Sequence, residues 1–161
     1  MYNIIRMPDV FRIITEAGTV SDARLNCKVT DGSLSVSLTA KNDLPKYVRL
    51  RWRLKTEGSV RLLGDAWERG YGELEWRGIA PERAMPWYFL LSAGDKTFCF
   101  GVMTRPSAMC HWQFDREGIT LVLDVRNGGR GVWLDGRTLE AASVVYREYS
   151  GISRFEAARR F

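Results

Sequence analysis

The groups best able to do chemistry are concentrated between Gly64 and Tyr88. The chain there reads Gly64-Asp65-Ala66-Trp67-Glu68-Arg69-Gly70-Tyr71-Gly72-Glu73-Leu74-Glu75-Trp76-Arg77, and then Pro81-Glu82-Arg83-Ala84-Met85-Pro86-Trp87-Tyr88. Three of the six tryptophans therefore stand among alternating carboxylates and guanidinium groups, with glycines and prolines that suit an irregular loop better than a central strand. Sugar recognition needs this mixture, because flat rings cover the C–H face of a pyranose while Asp, Glu and Arg meet its hydroxyls in pairs. A domain interface needs it too, since Trp, Tyr and Arg are its usual anchors. A third reading is a rim of arginine–carboxylate pairs with tryptophans plugging the end of the fold.

Little else in the chain points to catalysis. There is no G-x-S-x-G elbow, no H-E-x-x-H and no phosphate-binding glycine loop. The lone histidine, His111, follows Cys110 in a strand-like run, where adjacent side chains point to opposite faces, so the two suit sheet packing better than a nucleophile pair. Carboxylate pairs such as Asp65 with Glu68, or Glu73 with Glu75, have the spacing for a retaining glycosidase. Neighbouring arginines make ion pairing the simpler role for Glu73 and Glu75. Gly128-Gly129-Arg130-Gly131 reads as a hairpin turn, because no helix pattern follows it to supply a dipole for a phosphate. The expectation is no catalytic residue, no metal and no cofactor in this chain.

Composition sets the frame for these residues. The chain has 161 residues, 45% hydrophobic and 27% charged, enough to bury a core without disulfides or metals. The three cysteines, Cys27, Cys99 and Cys110, form no C-x-x-C spacing. A net charge of +5 invites a nucleic-acid reading. Its basic residues are scattered, mixed with Asp and Glu and mostly arginine, which argues against one. Only Arg49, Arg51 and Arg53 along one strand face keep an oligonucleotide in view. With no signal-peptide pattern and no apolar run of membrane length, the expected location is cytoplasmic.

Period-two alternation supplies the scaffold. In 33–41, Leu34, Val36, Leu38 and Ala40 share a face opposite Ser33, Ser35, Ser37 and Thr39, and Asp31-Gly32 joins this strand to a partner at 23–30. In 47–54, Val48, Leu50, Trp52 and Leu54 point inward. Further strands are expected at 59–63, 72–77, 87–92, 97–104, 108–115, 119–125, 130–134 and 138–149. So many one-sided strands need two packed sheets, hence an all-β, antiparallel two-sheet sandwich over 1–152. Residues 153–161 differ: Ser153-Arg154-Phe155-Glu156 has the form of a capping box. About two helical turns are marginal alone, so this short C-terminal helix either docks on the sandwich or starts a helix or linker toward a further domain.

The sequence also resembles the N-terminal, non-catalytic β-sandwich domain of glycoside hydrolase family 36, the α-galactosidases. The resemblance is carried by 65–76, by Met85-Pro86-Trp87-Tyr88-Phe89, by Phe100-Gly101-Val102-Met103-Thr104, by Cys110-His111-Trp112-Gln113-Phe114-Asp115, and by Leu123-Asp124-Val125-Arg126-Asn127-Gly128-Gly129. It spans about half of the chain, 64–151, and fades toward the N-terminal hairpins. It implies a supersandwich-like domain that packs on a catalytic (β/α)8 barrel of the same polypeptide, with the barrel bearing both catalytic carboxylates and the full-length protein forming a homo-oligomer. It further implies that Asp65 and Trp67 reach toward an α-galactoside or oligosaccharide, with Glu68 and Arg69 bracing the loop. Trp76, Arg83 and Trp87 are then the interface residues. A free-standing carbohydrate-binding module is the competing expectation.

Overall fold

The computed structural model describes residues 2–68, 74–103 and 107–161. It is a two-sheet antiparallel sandwich. The strands are β1 (Val10–Thr15), β2 (Arg24–Thr30), β3 (Ser33–Thr39), β4 (Pro45–Arg53), β5 (Val60–Gly64), β6 (Met85–Pro86), β7 (Tyr88–Ala93), β8 (Lys96–Val102), β9 (Met109–Asp115), β10 (Gly118–Asp124) and β11 (Thr138–Ser150), followed by α1 (Arg154–Arg160). One sheet has five strands in the order β1-β4-β10-β9-β6, and the other six in the order β2-β3-β11-β8-β7-β5.

The alternation expected from the sequence is what buries the core. Val48, Leu50 and Trp52 of β4, Ile119, Leu121 and Leu123 of β10, and Trp112 and Phe114 of β9 fill the space between the sheets. Leu34, Val36 and Leu38 of β3, Phe98 and Phe100 of β8, and Phe89 and Leu91 of β7 meet them from the other side. Phe89 and Phe100 stack with centroids 4.4 Å apart. Two buried indoles keep their N–H groups satisfied, since Trp52 Nε1 donates to the Arg6 carbonyl at 3.1 Å and Trp112 Nε1 to the Trp87 carbonyl at 3.2 Å.

At one end, two aspartates lock the loops together. The Asp43 carboxylate accepts the N–H groups of Ser21, Asp22 and Ala23, each at 2.8 Å, and Asp22 in return accepts those of Lys41, Asn42 and Asp43. These bonds favour the charged form and hold the Asp43 carboxyl down at about 2.

The structure departs from the sequence-based expectation in three places. Val10–Thr15 forms the edge strand β1, which no alternation announced. Residues 130–134 form no strand: Gly128 and Gly129 both have positive φ in a tight turn closed by the Asn127–Arg130 bridge. Gly131 then passes so close to the Leu44 carbonyl that a Cβ would overlap it. Of the strand expected at 72–77, the described part is irregular except at Arg77, which bridges to Leu62. The C-terminal helix is docked, with Ala157 fully buried and the Phe161 ring against Gly101. Its start is capped as the sequence suggests, the Ser153 hydroxyl accepting the Glu156 N–H at 3.1 Å.

Candidate functional site

The Trp-rich stretch lies along the edge where the chain passes between sheets. β5 closes the six-stranded sheet and β6 the five-stranded one, and Gly64 brings them together, for a Cβ there would overlap the Met85 side chain. Asp65 follows at once and is 3% exposed; its Oδ1 accepts the Ala66 N–H at 2.9 Å, and the chain bends at Trp67 and Glu68. Asp65 therefore sits inside the base of the turn, and Trp67 is its outward-facing group.

Trp67 is half exposed, and its ring is held edge-on by two others. Trp87 lies 6.4 Å away and His111 6.3 Å away, each at 73° between planes. Such edge contacts fix a ring's orientation without covering its faces. Trp87 itself has φ +66, a left-handed backbone that a bulky residue adopts at a cost of about 1–3 kcal/mol. Hydrogen bonds hold it there: its carbonyl accepts from Val102 N–H at 3.0 Å and from Trp112 Nε1 at 3.2 Å, joining the two sheets at this point. His111 points outward from β9 while Cys110 is buried in the core, so the neighbours do not face each other. Burial and the Arg49 cation push the imidazole pKa down, against the pull of Asp124. Burial pushes the Cys110 thiol up to about 11.

No protein-family model matches this chain, and no curated protein matches it. The geometry alone thus sorts the remaining candidates. Glu68 is exposed beside Trp67, whereas Arg69 and Glu73 lie outside the described residues. Glu75 pairs with Arg77 at 2.5 Å, the ion-pair role expected for it. Arg83 reaches back along the β5 edge, donating from Nη2 to the Gly64 carbonyl at 3.0 Å, while its buried Nη1 has no hydrogen-bond partner among the described residues. Burial, reinforced by Arg77 and opposed by Glu75, pulls its pKa down. Trp76 is half-buried on the helix side, with the Arg154 guanidinium 5.1 Å above its ring. A cleft of about 470 Å³ separates α1 from this edge, walled by Leu63, Trp87, Tyr88, Met103 and Phe161.

The stretch is thus divided. Trp67, Trp87 and His111 form one cluster on the five-stranded side, and Trp76 and Arg154 another beside the helix. His111 was not among the expected site residues. Its outward direction was legible from strand alternation, but its contact with a tryptophan 44 positions earlier needed the sheet crossover. The described residues hold no helix long and apolar enough to cross a membrane.

Proposed function

We propose that this chain is the non-catalytic β-sandwich domain of an α-galactosidase-type retaining glycosidase, packing on a catalytic barrel and contributing the loop from Asp65 to Glu68 to its galactoside pocket. The observation that carries the reading is the Trp67 ring. It stands half exposed on the bend that follows the buried Asp65, oriented by Trp87 and His111 and covered by no described element. A ring fixed in this way loses little entropy on meeting a sugar. Asp65 contributes from the buried base of the loop, and Trp67 and Glu68 are its exposed groups that can touch a ligand. Trp76, Arg83 and Trp87 line the flank that a barrel would cover, and the cytoplasm is the expected setting.

The chain alone is expected to leave an aryl α-galactoside intact and to bind galactose or raffinose more weakly than about 1 mM by calorimetry. In a polypeptide that includes the catalytic barrel, Trp67→Ala is expected to raise KM for galactosides or lower kcat; wild-type kinetics there would remove the loop from the pocket. Binding by the isolated chain tighter than about 1 mM would instead favour a free-standing carbohydrate-binding module.

A further inference from the structure

Every strand of the five-stranded sheet except the two-residue β6 places alternate residues on an outer face that no described helix or strand packs against and that Trp67 meets at His111. Across it runs one row set by the strand register: Arg12 opposite Arg49, Arg49 opposite Val122, and Val122 opposite His111. Directly opposed like charges repel on an antiparallel pair. Arg12 and Arg49 nonetheless make no ion pair with a described residue, although their neighbours do. Arg51 donates to Asp115 at 2.7 Å and to Thr120 at 2.9 Å, and Arg126 pairs with Asp124 at 2.6 Å.

We propose that Arg12 and Arg49 together hold the carboxylate of an acidic saccharide on this face. The site meets the Trp67 loop only at its His111 end and does not rest on the α-galactosidase reading. Two guanidinium groups on adjacent strands can each donate paired hydrogen bonds to one carboxylate, which cancels their repulsion. From Arg49 to His111 the face extends two strand spacings, about 10 Å, room for a sugar ring beyond the carboxylate. Val122 is 5% exposed beneath this strip, so its floor is closed. Asp124 lies in the neighbouring row on one side and Thr120 and Gln113 in that on the other, which suits hydroxyl groups. Because Asp115 and Asp124 already neutralise Arg51 and Arg126, the unbalanced positive charge of this row is confined to the Arg12–Arg49 pair, which favours a sugar with one acidic group at a time over a continuous track of phosphates.

His111 is the single histidine, and its imidazole senses Arg49 from β4, Asp124 from β10 and the Trp67 ring. Its single NMR signal therefore reports on this face, and the neutral digalactose arm separates out any binding at the adjacent Trp67 ring. The 161-residue chain would be titrated with digalacturonate, with its neutral digalactose counterpart, with sodium sulfate and with oligo-dT. Digalacturonate is expected to move the His111 resonance saturably, and the other three are not. Arg49→Ala and Arg12→Ala should each weaken that binding about tenfold, the value of one charge-assisted hydrogen bond. Lys28→Ala, which removes an equal charge from the exposed side of the other sheet, should leave it within about twofold. Both arginines are exposed, and a well-dispersed amide spectrum confirms that each variant is folded. The proposal is overturned by the absence of a saturable shift, by equal weakening in Lys28→Ala, by sulfate or digalactose binding as well as digalacturonate, or by tighter salt-dependent binding of oligo-dT.

Discussion

On the six-stranded sheet the outer face is roofed where α1 lies against β8, and Leu90 and Cys99 beneath it are 1% and 0% exposed. Burial there pushes the Cys99 thiol up to about 12. On the five-stranded sheet the corresponding face carries Arg12, Arg49 and Arg53 in the open, with Val10 and Met109 exposed beside them. The two faces differ in the residues that alternate outward. β5, β7, β8 and β11 present Leu63, Leu90, Cys99, Gly101 and Val145, which would lose apolar burial without a cover, whereas β4 presents arginines that water solvates well. The short helix is thus part of the fold's burial, and the arginine face needs no cover and stays open to solvent.

The largest test of this contrast removes the roof. Ala157→Asp places a carboxylate at a fully buried helix position and should cost about 3 kcal/mol or release the helix altogether. Urea unfolding would measure the loss, and alkylation followed by mass spectrometry should find Cys99 newly modified. An unchanged midpoint with Cys99 still protected would mean that α1 is dispensable to that face.

A smaller effect is expected at the edge joining the faces. Gly64→Ala drives a methyl group into Met85 and should cost about 2 kcal/mol, since overpacking in a tight contact forces the backbone to shift. Because Asp65 and Trp67 follow directly, the same variant should alter tryptophan fluorescence, whereas a change confined to the α1 side should not.

How much of this was legible in the sequence depended on whether a strand had one wet face. β3 and β4 alternate apolar with polar residues, and that alternation gives their inward sets correctly. β1 reads Val-Phe-Arg-Ile-Ile-Thr and carries no such signal, because an edge strand that leaves Val10 and Phe11 exposed imposes no clean period. Residues 130–134 carry apolar types at strand spacing, yet the Gly131 approach to Leu44 and the two positive-φ glycines before it hold them as loop. For the site, the residue types were visible and their partners were not. Nothing local tells that Asp65 is buried while Trp67 is out, or that Arg49 faces Arg12 on a neighbouring strand whose existence the pattern does not reveal.

That last pairing yields the smallest predicted effect and the one most specific to the open face. Arg12→Thr removes one of two opposed cations and substitutes a residue well suited to an edge strand, so it should stabilise the protein by about 0.5 kcal/mol at low ionic strength. Raising the salt to about 1 M, where screening acts within about 3 Å, should erase the gain. Arg49→Thr should give a similar gain, and the double variant little more than either single one, because the second removal finds no repulsion left to relieve. Additive gains in the double variant would assign the effect to strand propensity and show that the arginines do not sense each other. A loss of stability in Arg12→Thr would mean that the arginine stems contribute more by packing across the sheet than their charges cost. In that case the open arginine face would be a structural surface in its own right.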